Sequence, residues 1–305
     1  QYLLNIAAGT PDLALSPLYS VAGTSGLDEQ ILDHWPGFGG DGPVRVGNAA
    51  ARHTQNDIFG EMVLALTPVF LDERFYAERS KASLELLERL ARKAVSVVGT
   101  PDAGIWEYRT EWETQTFSSL MCWAAADRMA LVAATHAPGI EQEFRAAAST
   151  IRDQVINRAW NADIGSFCGK YGGSDLDASL LQMATLRFLP RQDARLRGTI
   201  DAICKGLSRD GWLHRYGIDD GFGRPKVAFI LCSFWLVEAL AATDRGEEAR
   251  AVMTRIHSEL PALGLLSEDF EPSTRRMWGN FPQAYSHVGL IHAAFAASPR
   301  WSEVI

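Results

Sequence analysis

Apolar residues in this chain recur mostly at helical spacing, and alternating runs are few. After a Gly- and Pro-rich stretch at about 9–42, the pattern predicts helices over 48–70, 80–97, 115–137, 139–160, 176–189, 191–207, 227–242, 246–260 and 281–296. No alternating apolar/polar run of useful length competes, so the chain is predicted to be all-α with minor strand content. The opening QYLLNIAAG reads as the tail of an amphipathic helix ended by Gly9.

Two kinds of helix alternate along the chain. SKASLELLERLARKAV and RGEEARAVMTRIHSEL carry one apolar stripe and one charged face, the pattern of a helix on the outside of a domain. SSLMCWAAADRMALVAA and VAFILCSFWLVEALAA are apolar nearly all round, which implies burial on most sides. Each pair occupies about 50 to 70 residues, longer than the usual solenoid repeat. Alternating outer and inner helices suit two concentric rings, an α/α barrel, with a stacked solenoid as the rival. The count falls short of a closed ring, so the barrel is expected to be incomplete at the N-terminus. Residues 1–305 are read as one domain.

Composition narrows this little. The 305 residues are 47% hydrophobic and 22% charged, which is ordinary for a globular protein. A net charge of −8 offers no basic stripe for a nucleic-acid backbone. The longest apolar run, 227–242, is interrupted by Ser233 and Glu238 and is too short for a membrane span. Cys122, Cys168, Cys204 and Cys232 show no paired spacing. Cys122 and Cys232 lie in apolar helical runs and are read as reduced core residues, which favours the cytoplasm. His53 and Asp57 have helical i,i+4 spacing but no third ligand follows, so no metal or other cofactor is expected.

Candidate chemistry gathers in four loops that precede apolar helices: GIWEYRTEWETQ, GSFCGKYGGSDLDAS, DGWLHRYGIDDGFGRPK and GLLSEDFEPSTRRMWGNFPQ. In an α/α barrel such loops open on one face. Aromatic rings pack on pyranose faces, and charged groups bind hydroxyls bidentately. Hydrolysis of a glycosidic bond needs one protonated and one ionised carboxyl group. Burial against an indole disfavours the charged form of a carboxyl, so Glu107 beside Trp106 is placed to be the acid. Glu268, in LLSEDF, is the natural partner. Singly, a Trp-Glu loop pair or the acidic run of Glu268, Asp269 and Glu271 also suits plain surface chemistry. The convergence of four loops argues for catalysis. Asn48 is expected to cap or follow the start of its helix, and Asp175 or Asp177 to cap the 176–189 segment.

PVRVGNAAARHTQNDIFGEMVLAL, GIWEYR, FSSLMCWAAADRMAL, SDLDASLL, FILCSFWLVEALA and GNFPQAYSHVGLIHAA, in that order, resemble the bacterial branch of glycoside hydrolase family 15. That family contains glucoamylases, glucodextranases and some trehalases. The resemblance implies an (α/α)6 barrel that hydrolyses α-glucosidic bonds with inversion, on an α-glucan oligosaccharide or on trehalose. It makes Glu107 the general acid and Glu268 the general base that activates water. It also makes Arg215 and Tyr216 hydroxyl-binding residues, Asp219 their acidic partner and Trp106 a wall of the pocket.

Four departures accompany it. The Trp-Leu-Arg-Asp inner helix that opens the barrel in relatives is absent, as is their N-terminal β-sandwich domain, so the chain reads as a fragment. Lys226-Val227 stand where Glu-Gly is usual, and Ser119 where lysine is common. The expected function is therefore an exo-acting inverting α-glucosidase of glucoamylase or glucodextranase type, ahead of trehalose hydrolysis. A non-catalytic sugar-binding protein is the alternative from another class.

Overall fold

The structure, a computed structural model, describes all residues except 221–222, 300–303 and 305. Residues 221 and 222 of the third candidate loop therefore lie outside the described residues. The chain divides into two compact units, 1–153 and 154–305. The division falls inside a helix, so no linker composition marks it in the sequence.

The first unit opens with α1 (Tyr2–Gly9), followed by long loops in which β1 (Gln30–Ile31) pairs antiparallel with β2 (Arg45–Val46). Then come α2 (Asp57–Leu71), α3 (Lys81–Val97), α4 (Thr116–His136) and α5 (Glu141–Ala159), the last crossing into the second unit. α3 shows why periodicity reads well. Leu86, Leu87, Leu90, Ala91 and Ala94 are buried in one stripe, and a reciprocal Ser80–Ser83 capping box closes its N-terminus. α4 is buried on nearly every side, as its unbroken apolar composition predicts. It lies so close to α2 that a Cβ at Gly60 would stand 2.2 Å from the Met121 carbonyl oxygen. Only glycine fits that crossing.

The second unit begins with the hairpin of β3 (Trp160–Asn161) and β4 (Ser166–Phe167), the single turn α6 (Gln182–Thr185) and α7 (Ala194–Leu207). A second hairpin follows, of β5 (Ser208–Arg209) and β6 (Trp212–Leu213). β7 (Ala228–Phe229) leads into α8 (Ile230–Ala242) and α9 (Gly246–Glu259). β8 (Asp269–Glu271), β9 (Arg276–Trp278) and α10 (Ala284–Ala297) complete it. β7, β8 and β9 form an antiparallel sheet with β8 in the middle. α8 is buried on most sides and α9 along one edge, again matching inner and outer compositions. α10 buries Ser286, Gly289, Ala293 and Ala297, while Tyr285, Val288, Ile291 and Phe295 are exposed.

Several predicted helices are shortened; that over 227–242, for one, starts at Ile230 after β7. The 48–70 helix starts at Asp57, because 49–52 form a 3-10 turn capped by Asn48 and the backbone after it bonds elsewhere. The 176–189 helix shrinks to a 3-10 turn over 178–181 and α6. Asp177 caps that turn, accepting from Ser179 N at 2.8 Å. The last helix starts at Ala284, after Pro282, which cannot donate to a helical ladder.

Cys122, Cys168 and Cys232 are buried free thiols, and Cys204 is an exposed one. Among the described residues no helix is long and apolar enough to cross a membrane, and no group of three or more His, Cys, Asp or Glu could hold a metal ion.

Candidate active site

In the first unit the GIWEYR segment is a tight turn. Glu107 N donates to the Gly104 carbonyl at 3.0 Å, and Tyr108 N donates to that of Ala103 at 3.0 Å. The turn is tied to the strand-like stretch before α2, where Ala103 N donates to Thr54 O at 2.9 Å and Gln55 Nε2 to Gly104 O at 2.7 Å. Gly104 has φ +63°, and so, unusually for a residue with a side chain, Glu107 has φ +58°. Non-glycine residues in this left-handed region carry backbone strain, which persists where the surroundings over-determine it and gathers at functional sites.

Glu107 is half-buried, as is Trp106. Its Oε2 accepts a hydrogen bond from Asn48 Nδ2 at 3.0 Å. Asn48 thus does two jobs with one amide: the oxygen caps the turn at Ala50 N, 3.0 Å away, and the nitrogen holds the carboxylate. His53 lies close enough to sense the Glu107 charge and packs edge-on against Trp112, with ring centroids 5.6 Å apart. Burial lowers its pKa, the nearby Glu107 opposes that, and Arg109 adds to it. Arg109 is paired with Glu29 at 2.7 Å.

In the second unit Glu268 precedes β8, and sheet pairing fixes its backbone. Its N–H donates to Asn280 O at 2.9 Å, and its carbonyl accepts from Ile230 N at 3.1 Å. The half-buried carboxylate accepts twice at Oε2, from Asn280 N at 3.1 Å and Asn280 Nδ2 at 3.0 Å. Gly279 allows this approach: it has φ +74°, and a Cβ there would stand 2.7 Å from Glu268 Oε2.

Asp269 is the neighbour that sequence reading left in an acidic run. Burial raises its carboxyl pKa to about 7, against the pull of Arg215 and helped by the charge of Glu268. Its Oδ1 is buried with no hydrogen-bond partner among the described residues. The Arg215 guanidinium lies 5.3 Å from the Phe229 ring centroid and 5.8 Å from that of Tyr216. Phe229 pairs with Asp269 across the sheet, so Arg215, Glu268 and Asp269 share one neighbourhood.

Asp219 and Asp220 stand side by side in the loop after Tyr216. Tyr216 Oη donates to Asp220 Oδ2 at 2.5 Å, whereas Asp219 Oδ1 accepts from Gly223 N at 3.0 Å and braces the loop. Ser119 is buried and donates to Gln115 O at 3.2 Å.

Of the six candidate residues, Trp106 and Glu107 share one turn of the first unit, and Arg215, Tyr216 and Glu268 gather in the second, with Asp219 bonded to its own loop. The supports that sequence reading missed as such are Asn48, Asn280, Gly279 and Asp220. Asn48 carried a signal, since a capping amide keeps a donor to spare. Asn280 carried none.

Each unit thus holds one half-buried carboxylate by an asparagine amide, Glu107 by Asn48 and Glu268 by Asn280. The chain belongs to the glycosyl hydrolases family 15, whose model matches residues 3–295. It is 38% identical over 92% of its length to a protein named trehalase from Mycolicibacterium smegmatis, covering 42% of that protein. Further relatives named trehalase are 28–36% identical. The chain spans 41–50% of the length of the curated relatives it matches. Among solved structures it is similar to a glycosidase variant in complex with glucose, with TM-score 0.69 and 21% identity, covering 85% of this chain and 72% of that one. A family 15 glucoamylase from Hypocrea jecorina matches with TM-score 0.64 and 12% identity, over 79% of this chain and 52% of its own. These last likenesses are of fold: the chain shares the all-α, (α/α)6 class expected from its sequence.

Proposed function

We propose that this chain carries the machinery of an inverting α-glucoside hydrolase whose substrate is trehalose. The observation that carries the substrate is the set of relatives named trehalase, which align with 90–96% of this chain. Sequence motifs favoured glucoamylase-type action on α-glucan oligosaccharides. The glucoamylase likeness is one of fold at 12% identity, so it supports no substrate.

Glu107 gives its proton to the glycosidic oxygen as the bond to the departing glucose breaks. Glu268 takes a proton from a water that attacks the anomeric carbon from the opposite face. Asn48 and Asn280 each fix one carboxylate oxygen, so the remaining oxygen of each is the one offered to substrate or water. Arg215 and Tyr216 bind sugar hydroxyls, and Trp106 packs on a ring face. After turnover Glu107 is ionised and Glu268 protonated, and exchange with solvent resets both.

Proton NMR of the first products tests this directly. Inversion releases one β-glucose and one α-glucose from each trehalose, whereas retention releases only the α-anomer. Glu107→Gln and Glu268→Gln are each expected to lower kcat by about 10²–10⁴-fold, with Tm little changed. Full activity in either variant would remove that residue from its role. Maltooligosaccharides cleaved faster than trehalose would restore the glucoamylase reading.

A further inference from the structure

Asp102 takes no part in the chemistry above, yet it is the most completely enclosed carboxylate near Glu107, with no exposed surface. Three donors from three parts of the first unit converge on its Oδ2. Asn56 N, immediately before α2, donates at 2.8 Å; Ser118 Oγ, in the first turn of α4, at 2.7 Å; and Gly104 N, in the turn that carries Glu107, at 3.3 Å. Its own N–H donates to Glu113 O at 3.2 Å, which ties the start of the turn to the strand-like stretch before α4. Glu107 N in turn bonds to the Gly104 carbonyl, so Gly104 is the peg on which the acid's backbone hangs.

We propose that Asp102 is a positioning residue: by clamping Gly104 to the starts of α2 and α4 it holds the Glu107 backbone in its left-handed conformation and aims the carboxyl. This rests on the reading of Glu107 as proton donor. A carboxyl oxygen suits the task because it accepts from several donors at once, even as burial raises the pKa of Asp102. Three donors on one oxygen also leave the clamp little freedom to rotate. The buried Asp57 faces the same place and, like Asp102, keeps one oxygen without a hydrogen-bond partner among the described residues. An amide at position 102 would therefore alter a tight polar cluster and the tilt of the turn together. Small tilts matter, since a misplacement of about 1 Å at a reacting group can cost about 100-fold in rate.

The test uses leaving groups with different needs, in the whole protein. Fluoride departs from α-glucosyl fluoride without a proton, whereas the sugar leaving group of a disaccharide requires one. The ratio of the two kcat values on one sample cancels any unfolded fraction, so a merely structural defect leaves it unchanged. Glu107→Gln sets the benchmark and is expected to lower the disaccharide-to-fluoride ratio by about 100-fold or more. Asp102→Asn is expected to lower it by about 10-fold. Ser118→Ala, which removes one donor from the clamp, should lower it by a few-fold and stands in if Asp102→Asn does not fold. If Glu107→Gln shifts the ratio and neither Asp102→Asn nor Ser118→Ala does, Asp102 is only structural and the proposal fails. If Glu107→Gln leaves the ratio unchanged, the proton-donor reading is the part that falls, and the clamp loses its purpose with it.

Discussion

The two candidate carboxylates are held by different kinds of architecture. Glu107 sits in a turn with a strained, left-handed backbone, tied to α2 and α4 by side-chain hydrogen bonds that include the buried Asp102 clamp. Glu268 stands just before β8, where regular strand pairing sets its backbone and Asn280 gathers its Oε2. An acid must swing its proton onto one oxygen, and a base must hold one water, so both need a fixed carboxyl plane. The first unit achieves this with a network of single bonds, and the second with a ladder and a glycine. A network should fail gradually as members are removed, and a close approach should fail at once when it is filled.

Gly279→Ala should show the sharpest failure. At φ +74° a methyl group would stand 2.7 Å from Glu268 Oε2 and 2.9 Å from its Cβ, so the carboxylate must move. The expected loss in kcat is about 100-fold, with a stability cost of about 1–2 kcal/mol from the left-handed alanine. Gly104→Ala is the matched change in the other region. Its Cβ would meet Gln115 Cγ at 2.8 Å, a side chain that can yield, and Glu107 itself is not struck. Its kcat should fall by only about 10-fold. Steady-state kinetics and thermal melts on both variants decide the matter. Equal losses in kcat would erase the distinction between network and close approach.

Asn48 offers a smaller effect that separates two jobs. Asn48→Ala removes both the cap on Ala50 N and the donor to Glu107 Oε2. Losing the cap should cost about 1 kcal/mol, and losing the bond that fixes the Glu107 carboxyl should lower kcat by about 10-fold. Asn48→Asp keeps a capping oxygen but cannot donate to Glu107, so Tm should recover while kcat does not. Recovery of both would show that the amide donor is unnecessary and that Asn48 acts through the turn alone.

The motifs around Glu107 and Glu268 were legible in sequence because each is local: an indole or leucines beside a carboxylate, in a loop ahead of an apolar helix. The helices with a single stripe, such as α3, and those apolar all round, such as α4 and α8, were legible for the same reason. What failed was decided at long range. The helical pattern over 48–56 lost to tertiary bonds, since Asn56 N goes to Asp102 and Thr54 O receives Ala103 N. Asn280 reaches Glu268 only because β8 and β9 fold back on each other, and nothing in GNFPQ announces that. Asp219 and Asp220 differ by one position in an irregular loop. Periodicity has no hold there, so the partner of Tyr216 could be read only from coordinates.

Asp269 is expected to give the smallest change in turnover but a distinctive pH signature. Burial lifts its pKa from 3.8 to about 7, with Arg215 opposing and Glu268 adding to the lift. A carboxyl whose folded-state pKa is raised binds its proton more tightly when folded. The stability it contributes is therefore complete below about pH 4 and is lost as pH rises through about 7. Asp269→Asn has no proton to lose. The Tm of the parent minus that of Asp269→Asn should therefore fall by a few degrees between pH 4 and pH 8, by the linkage of protonation to folding. The same experiment on Glu271, whose pKa is lowered by hydrogen bonds from Thr274 and Trp278, should run the other way, with parent stability gained as pH rises. A flat or rising difference for Asp269 would mean that Arg215 holds the carboxylate ionised. The second region would then present a fixed ion pair beside Glu268, and the contrast with the first would have to be drawn in charge as well as in backbone support.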